Sequence, residues 1–312
     1  IIEGILGLFA KYWIKLITPI VSASVVTAIG FSLLSVGAAS FGGGSGSSNF
    51  GSATNWILGT ITLLCCILFN IFAKSYWKQL SVLFGLVVGY IVAACMGVVD
   101  FSGFKDASII ALPSLMPFKP EFNADAILSV VLIFLVSATE TIGDTSALAT
   151  SGLDRDATPK EVSGSLACDG FISALSSVFG CLPITSFSQN VGLIPLTKVA
   201  SKYVASMAGI ILVVLGLFPK VAAIINTIPS PVLGGVGIVM FGTVAASGIK
   251  TLSSVEINDR NLLLIATSIG LGLGVTFRPD FISQLPEGLQ MIFASGISTG
   301  TIVALVLNII LR

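Results

Sequence analysis

Three carboxylates and an amide pair carry the chemistry this chain could do. Glu140 and Asp144 lie four residues apart in the apolar run 126–150, and that spacing puts both on one face of a helix. Asp169 follows in the next apolar run, 162–180, and Gln189-Asn190 sits in the stretch after it. Of fifteen acidic residues, only these three carboxylates fall deep in candidate spans. A charge at mid-helix costs about 2.5–3.5 kcal/mol on the insertion scale, and such residues normally face a cavity or a pathway. No basic residue lies deep in the runs to neutralise them. Protonation, or pairing with a bound cation or hydrogen-bond donor, must relieve the cost. Gln and Asn supply both donors and acceptors. Plainer roles stay open. Glu140 could only tie helices together, and Asp144 could anchor a helix end. Asp169 could bond backbone freed by a broken span, and Asn190 could cap a half-helix.

The elements that must position these groups are apolar. The chain has 312 residues, 54% hydrophobic and 10% charged, where soluble domains carry about 25% charged residues. It reads as an all-α polytopic membrane protein. A bilayer takes about 20 apolar residues per helix, and ten spans fit: 17–36, 56–73, 80–99, 126–150, 162–180, a broken sixth around 183–198, 203–218, 232–247, 262–277 and 291–311. Pro183 and Pro195 bracket the sixth. Proline breaks the helical ladder, and irregular backbone at membrane depth is tolerated only inside protein or beside a water-filled cavity. The apolar piece 1–10 is too short to span and reads as the tail of a truncated helix. With alternating loops, one face carries eleven Lys and Arg and the other four. That bias puts the C-terminus in the cytoplasm.

Several function classes fall away. The chain has no histidine and a net charge of zero. His-metal sites and Ser-His triads are excluded, and no basic block points to nucleic acid. The five cysteines read as small buried hydrophobes, not as disulfide or zinc pairs. Gly296-Ile297-Ser298-Thr299-Gly300 matches a nucleophile-elbow pattern by chance, because it falls in a helix. Gly85/Gly89, Gly270/Gly274 and Gly296/Gly300 read as helix-packing pairs.

The motifs resemble those of the nucleobase–ascorbate transporter family. Its signature, Gln/Glu-Asn-x-Gly-x-x-x-x-Thr, is matched by Gln189-Asn190-Val191-Gly192-Leu193-Ile194-Pro195-Leu196-Thr197. Its acidic motif is matched by Glu140-Thr141-Ile142-Gly143-Asp144, and its later aspartate by Asp169 in Ala167-Cys168-Asp169-Gly170. The resemblance implies two inverted repeats of seven helices, N-terminally truncated here. Residues 1–13 would end a core helix, 14–99 and 229–312 would form the gate domain, 100–125 an extracellular loop, and 126–228 the second half of the core. One helix would be broken by a short strand near 184–188. By the same resemblance, Glu140 and Gln189 bind the nucleobase, with Phe187 and Ser188 adding contacts. Asp144, Asp169 and Asn190 serve proton coupling and site organisation. The implied activity is proton symport of xanthine or urate across the plasma membrane by a homodimer, with no metal and no cofactor beyond the proton. A uracil or pyrimidine permease is the alternative, and an anion carrier of the same architecture a weaker one.

Overall fold

The computed structural model describes residues 1–13, 18–155, 157–187, 194, 199–253, 255–286, 289–290, 293 and 295–311. Among these residues every regular element is a helix. Thirteen α-helices are formed: α1 (Ile2–Leu8), α2 (Ala10–Trp13), α3 (Pro19–Phe41), α4 (Ala53–Phe72), α5 (Ser81–Cys95), α6 (Ser102–Asp106), α7 (Ala124–Leu153), α8 (Pro159–Val178), α9 (Lys202–Gly216), α10 (Pro219–Asn226), α11 (Ser230–Leu252), α12 (Asp259–Phe277) and α13 (Gly296–Ile310). Short 3-10 turns occupy Ser75–Leu80 and Pro279–Ile282. α3, α4, α11 and α12 are long and apolar enough to cross a membrane, and α9 and α10 form a bent pair with an 87° angle between them. Each expected span outside the 183–198 stretch overlaps one of these helices.

Two compact units divide the chain. The first comprises Ile1–Ser32, Ser114–Ile194 and Thr243–Arg312. Its core has two apolar clusters. In one, Ile20, Val21 and Val25 of α3 meet Leu264 of α12 and Ala304 of α13. In the other, Ala10 of α2 meets Ala138 of α7 and Val162 and Leu166 of α8. Small residues set the helix spacing. A Cβ on Gly170 would overlap the backbone of Gly4, and one on Gly7 would overlap Ala167, so α1 lies backbone-to-backbone on α8. Gly296 and Gly300 likewise abut Gly272, Thr276 and Ser268 of α12. The expected Gly270/Gly274 pair makes no close approach among the described residues, where a Cβ at either position meets open space and Gly272 makes the approach instead. Arg260 at the start of α12 donates from Nε to the Leu311 carbonyl at 2.6 Å, placing a cation where helix α13 ends.

The second unit comprises Leu33–Pro113 and Pro195–Gly242. Leu58 of α4, Ala93 of α5 and Val232 of α11 form its core. Gly85 and Gly89 of α5 sit against Cys66 and Thr62 of α4, as their spacing predicts. The Gly/Ser loop after α3 turns through positive φ at Gly43 and Gly44, where glycine carries no steric penalty. Asn55 clasps this loop, donating from Nδ2 to the carbonyls of Gly42 at 2.8 Å and Asn49 at 2.9 Å. Of the five cysteines only Cys66 is fully buried; Cys95, Cys168 and Cys181 are exposed, against the expectation of buried hydrophobes.

Candidate functional site

Helices α7 and α8 and the chain that follows α8 build the candidate site, all within the first unit. The turn between the two helices is set by local chemistry. Thr158 caps α8: its Oγ1 accepts the Glu161 N–H at 3.3 Å, while Glu161 Oε2 accepts the Thr158 N–H at 2.8 Å. This reciprocal capping box satisfies two donors that a helix start leaves free, and Pro159 fits the first helical position. Arg155 grips the Glu161 carboxylate with both Nη atoms, at 2.9 and 2.6 Å. The Arg155 fork and the Thr158 donors hold the Glu161 carboxyl well below the usual glutamate range.

After α8 the chain turns at Gly180 and runs through 181–187 without helical structure. No strand forms among the described residues here, which corrects the expectation of one near 184–188. The physical reason lies at Ile184. A strand needs a neighbouring backbone for its ladder, but both main-chain groups of Ile184 are taken by one hydroxyl. Ser173 Oγ accepts the Ile184 N–H at 3.0 Å and donates to the Ile184 carbonyl at 3.0 Å. Further on, Ser137 of α7 donates to Thr185 Oγ1 at 2.8 Å.

Ser186 then joins a chain of hydroxyls and carboxylates. Its Oγ donates to Asp144 Oδ2 at 2.7 Å. Thr141, fully buried, donates from Oγ1 to Asp169 Oδ2 at 2.5 Å. The Thr141 and Ser186 oxygens lie 3.3 Å apart. Each hydroxyl has one proton, and both are spent on carboxylates, so the 3.3 Å contact links two acceptors that are already served. Asp144 and Asp169, one helix apart in sequence, are thereby brought to a single cluster. Glu140 lies one turn before Asp144 on α7 and is half-buried. Phe187 is 50% exposed. Ser188, Gln189 and Asn190 lie outside the described residues.

Sequence reasoning missed three members. Thr141 and Ser186 are neutral and common, and nothing in their types singles them out. Glu3 is different: it is a carboxylate inside an apolar run, a signal passed over because 1–10 is too short to span. It is 4% exposed, and among the described residues neither carboxylate oxygen has a hydrogen-bond partner. Among the described residues, no group of three or more His, Cys, Asp or Glu could hold a metal ion.

A family model described as Permease family matches residues 1–281. The xanthine permease of Bacillus subtilis (strain 168) is 39% identical over 318 residues, covering 99% of this chain and 72% of its own length. The chain belongs to the nucleobase–ascorbate transporter family. This permease is also 50% identical, over 311 residues, to a protein of Clostridium perfringens (strain 13 / Type A) provisionally named a purine permease. That match covers 99% of the chain and 68% of the relative. The uric acid permease PucK of Bacillus subtilis is 40% identical over 305 residues, covering 97% of the chain and 70% of its own length. The permease is therefore a multi-pass membrane transporter and not an enzyme.

Proposed function

We propose that this permease imports a purine nucleobase, xanthine or urate, by proton symport across the plasma membrane, with its C-terminus in the cytoplasm. The observation that carries the reading is the Asp169–Thr141–Ser186–Asp144 chain, which ties the backbone three residues ahead of Gln189 to two carboxylates. The names of the relatives support the substrate class. Glu140 and Gln189 bind the base: a planar ring with alternating N–H and C=O groups suits one carboxylate acceptor and one amide. Phe187 and Ser188 add contacts, and Asn190 organises the loop that carries Gln189. A site that hydrogen-bonds its ligand rejects analogues lacking the groups, because its own polar atoms would stay unpaired.

The proton is the coupling ion, held among Asp144 and Asp169. Thr141 can turn its donation from Asp169 to Ser186, which already donates to Asp144, so a proton arriving on Asp169 aligns the chain Asp169–Thr141–Ser186–Asp144 in one direction. The same reading gives ten spans of an inverted-repeat transporter, a core domain carrying the site, a gate domain, and a homodimer. Uptake of labelled xanthine tests it, in competition with urate, uracil, guanine and ascorbate and with or without a protonophore. Xanthine and urate should compete best, and the protonophore should abolish accumulation. Stronger competition by uracil, or accumulation indifferent to the protonophore, would overturn the substrate or the ion respectively.

A further inference from the structure

Glu3 is a carboxyl group in a place where the ionised form is hard to keep. It sits on α1, buried to 4% exposure, with both oxygens unpartnered among the described residues. Its main chain lies against Gly170 of α8, because that glycine has no side chain to hold α1 away. The neighbour of Gly170 is Asp169, whose charge acts on the Glu3 carboxyl. α7, the other long helix packed on α1, carries Glu140 and Asp144. An isolated ionised carboxylate in such surroundings takes up a proton instead. Asp169 differs in having a donor: Thr141 Oγ1 hydrogen-bonds to its Oδ2. Two neighbouring carboxyls thus differ in their surroundings, one without a hydrogen-bond partner among the described residues and one served by a donor.

We propose that Glu3 is a second proton-carrying carboxyl of this permease, exchanging its proton with Asp169. The inference rests on the proton-symport reading above. In the step, the O–H bond of Glu3 breaks and one forms on Asp169, directly or through a water. Glu3 becomes the carboxylate and Asp169 the neutral acid, so the pair keeps one proton and one negative charge. Neutral Asp169 no longer needs the Thr141 proton. Thr141 is then free to donate to Ser186, whose own proton stays on Asp144. Glu3 acts through Asp169 and is a positioning residue for the coupling proton, not a substrate ligand.

The test uses the full chain in liposomes with labelled xanthine. Glu3→Gln keeps the shape and removes the titration. Accumulation driven by an imposed proton gradient should fall to the level reached without a gradient, while xanthine counterflow exchange persists. Glu3→Asp should restore gradient-driven accumulation with a displaced pH profile. Wild-type accumulation and an unchanged pH profile in Glu3→Gln would overturn the assignment. A wild-type protein that exchanges xanthine but ignores the gradient would instead overturn the proton-symport reading. If Glu3→Gln fails to reach the membrane, the infrared carbonyl band of a protonated carboxyl decides. It should be present in the wild type at neutral pH and move in Glu3→Asp; a band unmoved by that change overturns the proposal.

Discussion

Thr141 is the residue on which the cluster turns, since its hydroxyl touches both Asp169 and Ser186. Thr141→Val keeps the volume and removes the donor, leaving Asp169 short of a partner at a cost of about 1–3 kcal/mol. A lower thermal midpoint in detergent and weakened xanthine uptake are expected, with Thr141→Ser restoring both. Glu140→Gln and Gln189→Ala should each abolish uptake while the protein still reaches the membrane; normal uptake by either would remove that residue from the site. Glu140, Asp144 and Asp169 were legible in the sequence because a carboxylate in an apolar run is costly and therefore conspicuous. Thr141 and Ser186 were not, because hydroxyls are cheap to bury when they find a partner, and pairing is a property of the fold. Glu3 carried the same signal as Asp169 and was hidden only by the shortness of its run.

At the scale of elements, close approach and capping decide what a substitution costs. Gly170→Ala drives a methyl into the Gly4 backbone, an overpacking expected to destabilise by about 1–3 kcal/mol. Gly270→Ala meets open space in α12 and should be neutral or stabilising by up to about 1 kcal/mol, the propensity difference in a helix. Thermal midpoints of the two variants in one detergent separate these cases. At the start of α8, the Glu161 carboxyl is held below its unfolded value by Arg155 and Thr158. A depressed carboxylate stabilises the fold fully above the unfolded pKa, about 4.3, and loses that contribution as pH falls through the folded value. The midpoint gap between wild type and Glu161→Gln should therefore hold at neutral pH and close in acid. Helices were readable from apolar runs, whereas the capping box at Thr158 and Glu161 that fixes the start of α8 was passed over as part of a polar loop. The strand near 184–188 was misjudged, because whether an extended segment becomes a strand depends on what takes its backbone groups. Here Ser173, in the last turns of α8, does so.

At the scale of the whole molecule, helix α9 presents an apolar surface. Along α9, Tyr203, Val204, Met207, Ile210, Leu212 and Val213 are all exposed, a surface that water does not tolerate and lipid does. The permease should stay with membranes through an alkaline carbonate wash and come off only with detergent; release by carbonate alone would contradict a multi-pass protein. Its membrane character was legible from composition, whereas the division into two units with boundaries inside α3 and α11 was not, because unbroken helices leave no linker in the sequence. A segment zipped into a β-ladder comes free cooperatively, several rungs at once. The segment 181–187 is instead pinned by single side-chain latches at Ser137, Ser173 and Ser186. Each latch can open without the next, so the approach to Gln189 can loosen in graded steps, at rates set by one hydroxyl rotation at a time.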